Sequence, residues 1–314
     1  MTKIVFMGTP AFAVPSLEML LQEGYEVAAV VTQPDRPVGR KRVLTPTPVK
    51  AAALEHGLAV WQPEKLRVSS AIEDMRALQP DLIVTAAYGQ ILPKSVLDIP
   101  RLGCINVHGS LLPKYRGGAP IQRSIMNGEP VTGVTIMYMA EGMDTGDMIS
   151  RVEVPITDAD NAGTMFEKLS AAGSDLLCRT LPELIAGRVE AVPQNHDEAT
   201  YAPNLKREDE QLDWTRPARD LFNQVRGLVP FSGAYTTWNG EVFKVWACEA
   251  PGDSSANAGG REPGTVLNVD GSGIEVQTGA GTLCLTQVQP AGKKAMPAAE
   301  FVRGGKLSQG TVLK

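Results

Sequence analysis

The chain has 314 residues, 43% of them hydrophobic and 21% charged, with a formal net charge of −5. That length predicts two domains or one large one, and that composition excludes a disordered or fibrous protein. The acidic balance argues against a protein that coats nucleic acid through a broad basic field.

Met1-Thr2-Lys3 is followed by a run of only four apolar residues, Ile4 to Met7, before Gly8, too short for a signal-peptide core or a membrane span. Cys104, Cys178, Cys248 and Cys284 lie far apart and form no CxxC pair. Free, mostly buried thiols in a reducing cytoplasm are expected, with neither a disulfide framework nor a zinc site. No metal is expected.

Short apolar runs at Lys3 to Met7, Val27 to Thr32 and Asp81 to Ala86 alternate with helix-like stretches at Ala13 to Glu23, Pro48 to His56 and Ser70 to Leu78. This is the rhythm of a parallel sheet with crossover helices. The turn after the first run, Gly8-Thr9-Pro10, has one of the glycines of a GxGxxG fingerprint, which disfavours a nicotinamide site. Between Pro34 and Lys50, Arg36, Arg40, Lys41, Arg42 and Lys50 face the single acid Asp35, and four prolines make the stretch a loop. It is either a solvated loop or one that contacts phosphates.

A further buried strand is predicted at Cys104 to His108, then strands at Val134 to Met139 and Met148 to Val154 around the turn Ala140 to Asp147. A long helix should follow from Ala162 to Ala186, capped by Asn161 and bearing Pro182. The first domain is expected over 1–189, a linker over 190–205 and a second domain over 206–314. In the second, one helix at Ala218 to Gly227 precedes strands near Ala234 to Trp238, Glu241 to Ala250, Gly264 to Asn268, Gly273 to Gln277 and Gly281 to Val288, with a mobile loop at Ala250 to Gly260. The expectation is an α/β protein: a Rossmann-like, mostly parallel sheet domain followed by a small OB-like β-barrel.

The densest reactive cluster lies where the Cys104 to His108 strand ends. Asn106 and His108 are two apart and share a face, and an amide and an imidazole on a buried strand incur desolvation unless partnered or employed. Asp144, or its rival Asp147, could reach the imidazole from the following turn and fix its tautomer.

The run Asn106-Val107-His108-Gly109-Ser110-Leu111-Leu112-Pro113-Lys114-Tyr115-Arg116-Gly117-Gly118-Ala119-Pro120, with the later Asp144-Thr145-Gly146, resembles the signature of formyltransferases that use 10-formyltetrahydrofolate. Gly8-Thr9-Pro10, the basic loop and the barrel-like tail are similar to the branch of that family acting on methionyl initiator tRNA. The resemblance implies a catalytic trio of Asn106, His108 and Asp144. It also implies a folate slot along Tyr88, Gln90, Ile91, Leu92, Ser110, Leu111, Leu112 and Pro113. For the tRNA it implies contacts from the basic loop, Arg36, Arg40, Lys41 and Arg42. In the tail, by analogy with small barrels that bind nucleic acids, Lys244, Lys293, Lys294, Arg303 and Lys306 are either further contacts or surface residues of a solvated barrel. A monomer is expected. Rival readings are a formyltransferase for a small amine, such as a nucleotide sugar or glycinamide ribonucleotide, a non-catalytic RNA-binding protein, and a nicotinamide-dependent reductase.

Overall fold

The computed structural model describes residues 2–39, 41–252, 260–305 and 307–314. Contacts divide the chain into two compact units. The first comprises Met1–Gly118, Val131–Pro155 and Phe166–Ala202; the second comprises Ala119–Pro130, Ile156–Met165 and Pro203–Lys314.

In the first unit β1 (Lys3–Gly8), β2 (Glu26–Val31), β3 (Arg36–Val38), β4 (Val43–Thr45), β5 (Val60–Trp61), β6 (Leu82–Ala86), β7 (Cys104–His108), β8 (Val131–Tyr138) and β9 (Met148–Pro155) follow in chain order. Seven of them form one sheet in the order β5-β2-β1-β6-β7-β8-β9. The pairs from β5 to β7 are parallel, whereas β8 and β9 are added antiparallel. Strands β1, β6 and β7 are apolar nearly throughout because both faces are covered, as parallel strands require. Edge strand β9 instead alternates half-buried with exposed residues and places Arg151 and Glu153 outward, which discourages further strand addition.

Helices α1 (Val14–Gln22), α2 (Pro48–Glu55), α3 (Ser69–Leu78) and the short α4 (Lys94–Leu97) connect the parallel strands. After α5 (Pro120–Met126) comes α6 (Ala162–Ile185), with Pro182 inside it. Asn161 caps α6 as its sequence predicts: its Oδ1 accepts from Thr164 N at 3.0 Å, and Thr164 Oγ1 accepts from Asn161 N at 3.1 Å. Farther along, the Ser170 and Ser174 hydroxyls donate to the Phe12 and Pro15 carbonyls at 2.7 and 2.9 Å, tying α6 to the chain after β1.

One difference from the sequence reading lies at the basic loop. Strands β3 and β4 pair antiparallel as a separate two-stranded ribbon, Val38 opposite Val43 and Pro37 opposite Leu44. Val38, Val43 and Leu44 are 57%, 59% and 65% exposed, so no buried face gave the ribbon the alternation by which strands are recognised. Its base is anchored by Lys50 Nζ, which donates to Asp35 Oδ2 at 2.7 Å and to Gln62 Oε1 at 2.8 Å. The Lys50 bond, with a second that Gln62 Nε2 donates to Asp35 Oδ1 at 2.6 Å, holds the Asp35 carboxyl below its ordinary range.

In the second unit α7 (Ala218–Leu228) packs on an antiparallel sheet of β10 (Ala234–Trp238), β11 (Glu241–Cys248), β14 (Thr282–Gln289), β13 (Ile274–Gln277) and β12 (Val266–Val269), in that spatial order, with β15 (Met296–Pro297) on β14. Leu221, Phe222, Phe243, Val245, Val276, Leu283 and Leu285 fill its core. The final residues hydrogen-bond to both edges: Val266 N to Thr311 O and Leu313 N to Gly264 O beside β12, and Thr237 N to Lys314 O on β10, at 2.7, 2.9 and 2.6 Å. Helix α5 belongs to this unit by contact, and Arg123 on α5 grips Asp209 with two bonds of 2.9 and 2.8 Å. A short α8 (Ala298–Arg303) was not foreseen. The stretch expected to be mobile, Ala250 to Gly260, lies mostly outside the described residues, as do Arg40 and Lys306. Of the four free cysteines only Cys104 is fully buried; the others are half-buried, a correction to the expectation of mostly buried thiols.

Candidate active site

Strand β7 pairs with β6 on one side and β8 on the other, setting Asn106 beside Thr85 and His108 beside Thr135. Both threonines are polar residues in buried strand interiors, and both serve the site. The Thr85 hydroxyl lies 2.8 Å from Asn106 Oδ1 and 3.0 Å from the Ile105 carbonyl. Engaging the amide oxygen in this way turns Nδ2 outward as a donor. Thr135 Oγ1 donates to the Ser110 carbonyl at 2.7 Å and accepts from Leu112 N at 3.1 Å, pinning the loop after β7.

His108 is buried, and its Nε2 lies 3.0 Å from the Tyr115 carbonyl. A carbonyl only accepts, so Nε2 carries hydrogen, which leaves Nδ1 to face the site. Nδ1 lies 3.7 Å from Asp144 Oδ2. Between the two aspartates that the sequence left open, Asp144 is the one that reaches the ring.

Asp144 adopts φ +52°, a left-handed conformation. Its Oδ2 accepts from Gly117 N at 2.8 Å. Gly117 has φ +115°, and a β-carbon there would stand 2.9 Å from the Ala202 carbonyl. Gly146, at the end of the same turn, is more constrained: a β-carbon would fall 1.8 Å from the Tyr138 carbonyl. Because β8 runs antiparallel to β7, Tyr138 lies opposite Ile105, yet the turn after β8 brings Asp144 back to His108 across the sheet face.

Two residues missed from the sequence complete the arrangement. Gln194 Nε2 donates to the Asp144 and Gly146 carbonyls at 2.8 and 2.7 Å. Its Oε1 accepts from Arg116 Nε and Nη2 at 3.1 and 2.7 Å, and Nη2 also meets His196 Nδ1 at 3.1 Å. Arg116 stood inside the signature run but gave no sign of what it touches, and residues 190–202, read as a connector, run through this unit.

The residues expected to line a folate slot divide. Tyr88 and Leu92 are buried in the cluster with Val5, Met7, Ile83 and Val96, and Leu112 is also buried. Burial pushes the Tyr88 phenol up to about 12, and its hydroxyl finds no partner among the described residues. Gln90 braces the chain at 63–66, accepting from Leu66 N at 2.8 Å and donating to the Pro63 carbonyl at 3.1 Å. Ile91 is 81% exposed, which frees it to contact a ligand, and Leu111 and Pro113 are half-buried. The Ser110 hydroxyl is committed to the Lys114 carbonyl at 2.7 Å.

Of the basic residues, Arg36, Lys41 and Arg42 are exposed on the ribbon, Arg42 at φ +48° in its turn. In the second unit Lys293, Lys294 and Arg303 are exposed, whereas Lys244 donates to the Ser232 carbonyl at 2.6 Å and lies over the Trp246 ring. Among the described residues no cluster of three His, Cys, Asp or Glu side chains could hold a metal ion. No described helix is long and apolar enough to cross a membrane.

Residues 2–181 match the formyl transferase family model, and residues 204–306 match that of the formyl transferase C-terminal domain. The chain is 58% identical over 314 residues to the methionyl-tRNA formyltransferase of Bacillus subtilis strain 168, covering 100% of this chain and 98% of that one. The chain belongs to the methionyl-tRNA formyltransferase family. Its relative in Listeria monocytogenes serotype 4a, a methionyl-tRNA formyltransferase, is 56% identical and covers 97% of this chain and 96% of its own. Among solved structures, a Helicobacter canadensis N-formyltransferase, in complex with folinic acid and dTDP-3-aminofucose, superposes with TM-score 0.66 at 19% identity, covering 91% of this chain and 99% of that one. HypX of Aquifex aeolicus, in complex with tetrahydrofolic acid, gives TM-score 0.62 at 17% identity over 95% of this chain. The present chain spans 46% of that HypX chain, so HypX shares the fold over about half its length.

Proposed function

We propose that this chain transfers the formyl group of 10-formyltetrahydrofolate to the α-amino group of methionyl initiator tRNA, giving N-formylmethionyl-tRNA and tetrahydrofolate for translation initiation. The observation that carries this reading is identity above one half, over the full length, with methionyl-tRNA formyltransferases. The geometry around His108 fits the chemistry.

The neutral amine attacks the formyl carbon, and the carbonyl oxygen gains negative charge. Asn106 Nδ2, its amide oxygen held by Thr85, donates to that oxyanion. The attacking nitrogen then sheds a proton and the folate N10 gains one as its bond to the formyl carbon breaks. His108 Nδ1 and Asp144 Oδ2 are the two groups facing that transfer, and the carboxylate also stabilises the ring when it is protonated. The donor lies along Ile91, the backbone of 87–92, and Leu111 to Pro113. Positive φ at Ala87 and Gly89 supports this reading, because it shapes the segment into a loop that presents backbone groups.

In the same reading residues 1–189 carry the chemistry, 190–205 connect, and 206–314 bind tRNA. Arg36, Arg40, Lys41 and Arg42 reach the acceptor stem, with Lys244, Lys293 and Lys294 contributing from the tail. The β10–β15 sheet is an OB-like barrel; the bonds from residues 311–314 to both its edges support closure. The protein acts as a cytoplasmic monomer.

The test offers methionine-charged initiator tRNA, charged elongator tRNA and free methionine separately with 10-formyltetrahydrofolate. Transfer to the initiator alone is expected. Equal transfer to all three would remove the tRNA from the reading, and none would remove the acceptor.

A further inference from the structure

Arg116 is 2% exposed, and among the described residues the partners of its guanidinium are the Gln194 amide oxygen and a histidine nitrogen, with no carboxylate. Burying an arginine against neutral acceptors incurs a desolvation cost that a merely structural position would avoid with an apolar side chain. What the guanidinium holds explains it. Both of its bonds to Gln194 end on one oxygen, and this fixes which way round the carboxamide lies. The amide nitrogen must then face the turn, where it satisfies two carbonyls at once, those of Asp144 and Gly146.

We propose that Arg116 and Gln194 form a clamp that positions Asp144 for proton transfer. The clamp bonds the backbone on both sides of Thr145 and holds Asp144 in its left-handed conformation, with Oδ2 on Gly117 N and facing His108 Nδ1. Non-glycine residues leave that conformation readily unless the surroundings enforce it. A cation on Oε1 also polarises the amide and strengthens the two bonds that Nε2 donates. Neither residue touches the reacting atoms; both act through Asp144. His196 Nδ1 must be unprotonated to accept from Arg116, so the ring completes the clamp as an acceptor.

This inference rests on the proposed formyl transfer, and one of its two readouts is independent of that reaction. The first is hydrogen exchange at the Gly117 amide, whose acceptor is the Asp144 carboxylate. In Gln194→Ala we expect exchange at least tenfold faster there, with core amides of β1 and β6 unchanged. Unaltered Gly117 exchange would overturn the clamp. The second is kinetic, on folded protein: Gln194→Ala and Gln194→Glu should each lower kcat about tenfold or more, with KM for both substrates within about threefold. Gln194→Glu keeps the link to Arg116 but turns a carboxylate oxygen on the two carbonyls, so normal turnover in it would also overturn the proposal. Arg116→Lys should retain more activity than Arg116→Ala if the side chain acts by holding Gln194. If the wild type makes no formylated product while Gly117 exchange responds as expected, the reaction assignment fails and the clamp stands.

Discussion

His108 Nδ1 and Asp144 Oδ2 lie 3.7 Å apart, beyond direct hydrogen bonding, while the other ring nitrogen is committed to the Tyr115 carbonyl at 3.0 Å. His108→Ala and Asp144→Asn should each lower kcat by about 10²- to 10⁴-fold in folded protein. Asp144→Asn retains an acceptor for Gly117 N, so its loss reads the charge. A near-normal single-turnover rate in His108→Ala would remove this residue from the chemistry.

Thr85 should matter through Asn106. Asn106→Ala removes the oxyanion donor of the proposed mechanism and is expected to cost about 10²- to 10³-fold in kcat. Thr85→Val preserves shape but releases the amide, and a smaller loss in kcat with unchanged KM is expected. If the double variant is no worse than Asn106→Ala alone, the two act as one unit.

Neutralising Arg36, Lys41 and Arg42 together should weaken tRNA binding and flatten its salt dependence, by about 0.7–0.9 in the log–log slope per lost phosphate contact. Folate binding should not change. An unaltered slope by filter binding across a salt series would leave the ribbon without a nucleic-acid role.

The Arg123 fork holds the Asp209 carboxyl below its ordinary range. The folded state therefore binds the Asp209 proton less readily than the unfolded chain. The resulting stability is present above the unfolded value of about 3.9 and is lost as pH falls through the lower folded value. Asp209→Asn should cost about 1–2 kcal/mol at neutral pH, with the difference from wild type vanishing at low pH. A pH-independent difference in urea melts would contradict this.

Tyr88 buries a hydroxyl that has no partner among the described residues. Tyr88→Phe should leave stability unchanged or raise it by up to about 1 kcal/mol, since an unsatisfied polar group is removed without creating a cavity. KM for the folate donor should be unaffected if the ligand meets only backbone here. A rise of tenfold in that KM would show that the ligand supplies the missing partner.

The first unit was legible because parallel strands advertise themselves: β1, β6 and β7 are short, mostly apolar runs ended by turn residues, and within β7 Asn106 and His108 stood out as polar exceptions. The ribbon β3–β4 was not, since its apolar residues face outward and its prolines read as loop. Helix α8 has six residues and no side-chain cap at its start. The Arg116–Gln194 bond joins positions 78 apart, and no local pattern announces such a contact. The contacts of Thr85 and Thr135 were hidden similarly, although a threonine in an otherwise apolar strand was a visible anomaly.

The antiparallel course of β8 turns the segment from Met139 to Asp147 into a ruler. It leaves the sheet beside one end of β7 and must return its carboxylate to the other, with Gly146 lying flush against the Tyr138 carbonyl. One residue more or less between Ala140 and Asp144 would leave the sheet intact and still misplace the acid. The ribbon, by contrast, stands on the Asp35–Lys50 base and can change length without disturbing His108. On the proposed assignment of the ribbon to the acceptor and the turn to the chemistry, new acceptors are easier to reach by editing the ribbon, so the reaction can stay fixed while the substrate changes.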